Sequence, residues 1–100
     1  MTSSHGRAAE NPQVLTRLAD ILARAWDPAA TVRDALRGGG GFYREQALMI
    51  AGMLAADAQA TEVQRYLRQL EQQAALPATL HPNDARHAIA LELWEAARSS

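Results

Sequence analysis

The sequence contains no cysteine and no lysine. The first absence excludes disulfides, thiolate nucleophiles and cysteine-ligated metals. The second excludes a P-loop, whose phosphate grip needs a lysine at the end of a G-x-x-x-x-G-K spacing. Ten basic residues, all arginine, stand against eleven acids for a formal net charge of -1, which gives no general attraction to a phosphate backbone or an anionic lipid surface. Long hydrophobic runs are also lacking. The longest uncharged apolar stretch, Ala47 to Ala56, has ten residues, about half of what a membrane span requires. The polar start, MTSSHGRAAENP, has no signal-peptide core, so the expected setting is the cytoplasm with no membrane partner. β-branched residues are scarce, with three Ile and three Val, and no five-residue window alternates at period two. No strand is expected.

What is present is an ordinary globular balance of 48% hydrophobic and 21% charged residues, in a chain of 100 residues with room for one core. Alanine dominates that apolar share, with 22 Ala against 12 Leu. An alanine buries far less apolar area than a leucine, so the isolated domain is expected to be marginally stable.

Helix signals recur along the chain. Residues 1 to 10 carry no apolar period and are expected to form a disordered tail; residues 11 to 98 are expected to form one helical domain. Asn11 before Pro12 is a cap followed by a first-turn proline, and Val14, Leu15, Leu18, Ile21, Leu22, Ala25 and Trp26 follow as one helical stripe. Asp27-Pro28 repeats the signal and predicts a short helix to Arg37 with Val32, Ala35 and Leu36 inward. The run Gly38 to Gly41 is expected to end it by adopting left-handed conformations. From Phe42 to Asp57, Tyr43, Ala47, Ile50, Ala51 and Leu54 form a stripe, but Leu48, Met49, Met53 and Ala55 make the other sides apolar as well. A helix without a polar face is expected to be surrounded, and Gly52 in its middle is expected to admit a close neighbour. Thr61 and Gln64 fit a capping box. The helix they open carries Val63, Tyr66, Leu67, Leu70 and Ala74 inward, with Glu62, Arg65, Arg68 and Glu71 outward. Pro82, Asn83 and Asp84 start the last helix, striped by Ile89, Ala90, Leu93, Trp94 and Ala97. The expected fold is all-α, with about five short helices packed as antiparallel hairpins, tetratricopeptide-like or a small bundle.

Little in this pattern supports catalysis or a cofactor. The only serines are Ser3, Ser4, Ser99 and Ser100, at the chain ends. Glu92 and Glu95 read as the solvated face of the last helix. His81, Asp84 and His87 could supply two metal ligands on one helical turn, but no third strong ligand is evident. The glycine run follows a helix instead of a strand and reads as a linker, not a phosphate cradle. We therefore expect no enzyme, no metal and no cofactor.

Two binding readings remain. Residues Ile50 to Leu70 resemble a helix-turn-helix in outline, with Arg65 and Arg68 on the second helix; Glu62 and Glu71 beside them oppose phosphate contact, so nucleic acid is the weaker alternative. The stronger reading is an apolar surface for a partner protein's helix, with Tyr43, Leu48, Met49, Met53 and Ala56 as contact residues, because flexible, polarizable methionine suits such a groove. The same surface could instead make a homodimer.

The segment Gly38 to Leu70, GGGGFYREQALMIAGMLAADAQATEVQRYLRQL, resembles the first hairpin of the tetratricopeptide-like chaperones of type III secretion needle subunits. The matching positions are Leu36, Gly38, Gly40, Tyr43, Glu45, Ala47, Ile50, Ala51 and Leu54, then Val63 and Gln64. The resemblance implies a cytosolic, all-helical, non-catalytic chaperone that masks the polymerising helix of a needle subunit, usually with a small co-chaperone.

Overall fold

The computed structural model describes residues 11–77 and 81–98. The predicted tail, residues 1 to 10, the serines at both ends, and Thr79 and Leu80 of the last loop lie outside the described residues. Five α-helices follow in order: α1 Pro12–Ile21, α2 Thr31–Ala35, α3 Phe42–Ala55, α4 Ala60–Gln73 and α5 Asn83–Arg98. A π-helical turn, Leu22–Trp26, extends α1, and a 3-10 turn, Gly39–Gly41, precedes α3. Among the described residues there is no strand, as expected.

The chain starts its first helix as the sequence predicts. The Asn11 side-chain oxygen accepts from the amides of Gln13 at 2.9 Å and Val14 at 3.4 Å, satisfying donors that have no partner within the helix. Val14, Leu15, Leu18, Ile21, Leu22 and Trp26 are all buried. α1 is the central element: α3 packs along it on one side and α5 on another, while α4 lies against α5. Sequence neighbours α3 and α4 meet through the Tyr66 hydroxyl, which donates to the Gln46 side-chain oxygen, and their long contacts are with α1 and α5 respectively. The core joins the α1 stripe to Val32, Phe42, Ala47, Ile50, Ala51, Val63, Leu67, Leu70, Ile89, Ala90, Leu93 and Ala96.

Several local expectations are corrected. The helix after Asp27 starts at Thr31, not Pro28, and Ala35 is exposed. Asp27 still caps it, from further back: its two carboxylate oxygens accept from Val32 N at 3.0 Å and Arg33 N at 3.1 Å. α4 begins at Ala60, with its cap two residues earlier than expected: the box closes on Gln59 and Glu62, whose carboxylate accepts from Gln59 N at 3.1 Å. A charged acceptor makes the stronger bond to an unpaired amide, so this register prevails over Thr61 with Gln64.

The helix ends differ too. The left-handed residue after α2 is Arg37, φ 56°, not a glycine. Gly38 N donates to Arg33 O at 2.9 Å and Arg37 N to Asp34 O at 3.1 Å, the paired bonds of a Schellman motif. Asp57 (φ 68°) and Ala75 (φ 60°) end α3 and α4 with the same pair of bonds. Gly38 is required for another reason: a Cβ there would lie 2.3 Å from Phe42 Cδ1. Only Gly39 of the run has a positive φ, 64°.

Candidate functional site

The residues proposed for partner contact separate into two groups. On a helix turning about 100° per residue, Leu48, Met49, Gly52, Ala55 and Ala56 share the side opposite Ala47, Ile50 and Ala51. The latter three are buried under α1, and the former five are exposed. Leu48 is 43% and Met49 55% accessible; among the described residues the other exposed large apolar side chain is Leu91, at 38%, on α5. α3 is therefore not surrounded, contrary to expectation: α1, with smaller contributions from α5 and the π-helical turn, covers its inner side, and none of the described elements covers its outer one. Gly52 admits no close neighbour, since a Cβ there would meet nothing within 4 Å. The result is an apolar ridge with two large residues towards its N-terminal half and three small ones beyond. Arg44 and Glu45 border it at one end and Asp57 at the other, all exposed.

Tyr43 and Met53 point elsewhere. Met53 is half-buried against the core, at the edge of the ridge. Tyr43 faces α2, where its hydroxyl donates to Asp27 Oδ2 at 2.9 Å and lies 3.2 Å from Asp27 O, and its ring meets Phe42 edge-on at 5.4 Å. Burial, the hydrogen bond to Asp27 and the charge of that carboxylate push the Tyr43 phenol up to about 12. Asp27 thus binds two α2 amides and one phenol from a site that is 3% exposed. Burial likewise raises the Tyr66 phenol. Both tyrosines are structural ties between elements.

A second site was missed by sequence reasoning. Glu71, expected outward, is fully buried, and so is Arg86 at 2% exposure. Arg86 Nη2 and Nε donate to Glu71 Oε1 at 2.7 Å and Oε2 at 3.1 Å, a two-pronged ion pair joining α4 to α5. Trp26 Nε1 donates to the same Oε2 at 2.9 Å. The guanidinium also reaches His81 O at 2.6 Å and Asn83 Oδ1 at 3.0 Å, and His81 Nε2 donates to Trp26 O at 2.5 Å. The Glu71–Arg86 pair therefore ties together the end of α1, α4, α5 and the loop before α5. Among the described residues no buried side-chain nitrogen or oxygen lacks a partner, so this cluster offers no unsatisfied group for a substrate.

The remaining candidates are accounted for by contacts. His81 is held as described, Asp84 is exposed, and His87 Nδ1 lies 3.0 Å from Gln64 Oε1. Among the described residues no three His, Asp or Glu side chains converge as a metal site. Arg68 turns inward, with Nη1 3.4 Å from both Glu71 Oε1 and Leu76 O, which leaves Arg65 alone on the face the DNA reading requires. Glu92 lies 3.6 Å from Arg24 across an open groove of about 490 Å³ between α1 and α5, lined also by Arg17, Asp20 and Glu95; it mixes charges of both signs. No described helix is long and apolar enough to cross a membrane. No protein-family model, curated protein or solved structure matches the chain.

Proposed function

We propose that this is a protein-binding module that works in the cytoplasm without catalysis or a cofactor, and that its contact surface is the outer side of α3. The observation that carries the reading is the adjacency of Leu48 and Met49, both close to half exposed, on a helix whose other side is packed. Single exposed apolar residues are common and mean little; two large ones continuous with Gly52, Ala55 and Ala56 make a patch, and patches mark contact sites. The natural occupant of such a ridge is another amphipathic helix, docking at i, i+3, i+4 and i+7. Of the residues first proposed, Leu48, Met49 and Ala56 stay in this surface, Met53 borders it and Tyr43 does not belong to it. The narrower form, a chaperone for the helix of a secretion needle subunit, rests on the resemblance over residues 38–70.

The test uses the absence of native cysteine. An Ala55→Cys chain carrying a polarity-sensitive fluorophore is titrated with a synthetic amphipathic helix bearing a Leu/Ala face. Saturable blue-shifted emission, abolished by adding Leu48→Glu, is expected. Emission that stays water-like up to millimolar peptide overturns the proposal.

A further inference from the structure

The ridge on α3 has a property that a general docking surface does not need: it complements itself. Its large side chains, Leu48 and Met49, precede its small ones, Gly52, Ala55 and Ala56. If a second α3 is laid against it in the opposite direction, with the two-fold axis near the middle of the ridge, Met49 faces Gly52 of the second copy. Glu45 then faces Ala56. Bulk meets vacancy twice, by symmetry, as an isologous interface requires. At Gly52 the space is open, since a Cβ would meet nothing of its own chain within 4 Å. A parallel arrangement would instead place Met49 on Met49 and leave Gly52 facing Gly52.

Charge agrees with the same direction. The antiparallel register brings Arg44, exposed at the N-terminal end, towards Asp57, exposed at the C-terminal end, of the second copy, and it does so twice. It also sets each helix's positive N-terminal pole beside the other's negative C-terminal pole. A parallel pair would set Arg44 against Arg44 and Asp57 against Asp57. The ridge runs along a helix of 14 residues, roughly 21 Å at 1.5 Å per residue, which is short for a permanent interface. Contacts of that size belong to the weak, concentration-dependent class below about 1,200 Å².

We infer that the occupant of the α3 ridge is a second copy of this chain, held antiparallel through Met49 over Gly52 with Arg44 opposite Asp57. This inference rests on the reading of the ridge as a contact surface, and it names the partner.

Sedimentation equilibrium of the full chain over a wide concentration range should show a mass rising from 10.8 kDa towards twice that value. Gly52→Leu fills the receiving space from a position where a Cβ meets nothing of its own chain within 4 Å; it should weaken association by about tenfold or more, equivalent to roughly 1.4 kcal/mol, while the urea midpoint of the diluted monomer does not fall. Direction is read separately, by mixing a Met49→Cys chain with a Gly52→Cys chain under mild oxidation. Disulfides between the two variants, in excess over those within either variant alone, are expected. A chain that stays monomeric at the highest concentration overturns the inference, as does a dimer indifferent to Gly52→Leu or one that cross-links like with like. If the chain is monomeric but the synthetic helix still shifts the Ala55→Cys probe, the second copy fails as partner and the contact surface stands. If neither responds, both fail.

Discussion

Glu71 and Met49 sit where a simple hydropathy rule would exchange them. Glu71, a charged residue on a helix with a strong polar face, is fully enclosed, whereas Met49, in the most apolar helix of the chain, is 55% exposed. The difference lies in what surrounds each. Four residues, Trp26, His81, Asn83 and Arg68, converge on the Glu71–Arg86 pair, so the cost of removing the charges from water is offset only by completeness. None of the described elements covers Met49, so on the inference above its burial waits on association. One region is finished within the monomer and specifies which helices meet; the other is left open.

The largest effect should come from breaking the finished region. Removing one member of a buried ion pair leaves the other charge enclosed and unpaired, which costs about 3 to 5 kcal/mol. Glu71→Ala or Arg86→Ala should therefore consume much of the roughly 5 to 15 kcal/mol that a domain possesses, seen as a large fall in the urea midpoint. Glu71→Leu with Arg86→Leu should cost much less than the two single changes added together, because no charge is stranded. Equal, additive losses would show that the pair is not the organising contact.

Asp27 is the next test, as a smaller version of the same device. Asp27→Ala removes the cap on Val32 and Arg33 and the acceptor of Tyr43, and should destabilise by about 2 to 3 kcal/mol, the range for hydrogen bonds to a charged group. Its partner gives a pH signature. The Tyr43 phenol is raised from its ordinary value of 10.0 to about 12, so the fold holds the proton more tightly than the unfolded chain does. That contribution is complete below pH 10 and is lost as the pH rises through about 12. Tyr43→Phe should flatten the part of the alkaline decline that belongs to this window, as measured by urea titration at successive pH values.

Backbone changes should act at about 1 kcal/mol and in the stabilising direction. Ala75 and Asp57 hold left-handed φ of 60° and 68°, a conformation that costs a residue with a Cβ roughly 1 to 2 kcal/mol. Ala75→Gly should stabilise the fold by a net ~0.5 to 1 kcal/mol, seen as a higher thermal midpoint, once the greater freedom of glycine in the unfolded chain is subtracted. Gly52→Ala should gain about 1 kcal/mol from helix propensity, since the added methyl meets nothing. Failure of the second change to stabilise at low concentration would mean that something in the monomer does approach Gly52.

These contrasts also separate what was legible in the sequence from what was not. The five helices, the absence of strands, the Asn11 cap and the inner stripes of α1 and α3 followed from periodicity, because they depend on residues within one or two turns. Glu71 and Arg86 were also visible in principle: Glu71 lies four after Leu67 and beside Leu70, and Arg86 lies three before Ile89, so each occupies an apolar stripe. Reading charge as outward hid a pair whose members sit on facing stripes of consecutive helices. The bareness of α3 was beyond the sequence, because periodicity states which sides of a helix are apolar and not how many neighbours the topology supplies. The Schellman ends at Arg37, Asp57 and Ala75 were hidden for a related reason: tertiary packing holds a left-handed residue where local preference asks for glycine.

The smallest expected effect on the fold is the most informative about the open region. Leu48→Gln and Met49→Gln replace side chains that already stand largely in water, so each should change monomer stability by less than ~0.5 kcal/mol, the usual range for surface positions. The same changes at Ile50, one residue away but fully enclosed, should cost several times more, since a buried amide without a partner carries a penalty of about 1 to 3 kcal/mol in addition to lost packing. Urea unfolding at low concentration measures this ratio in the monomer. Repeating it at high concentration should restore sensitivity at Leu48 and Met49, because a bound copy stabilises only the folded state and its contribution grows with concentration. A wild-type midpoint that rises with concentration while the Met49→Gln midpoint stays fixed would place the missing neighbour of α3 on another molecule; midpoints that move together would place it nowhere.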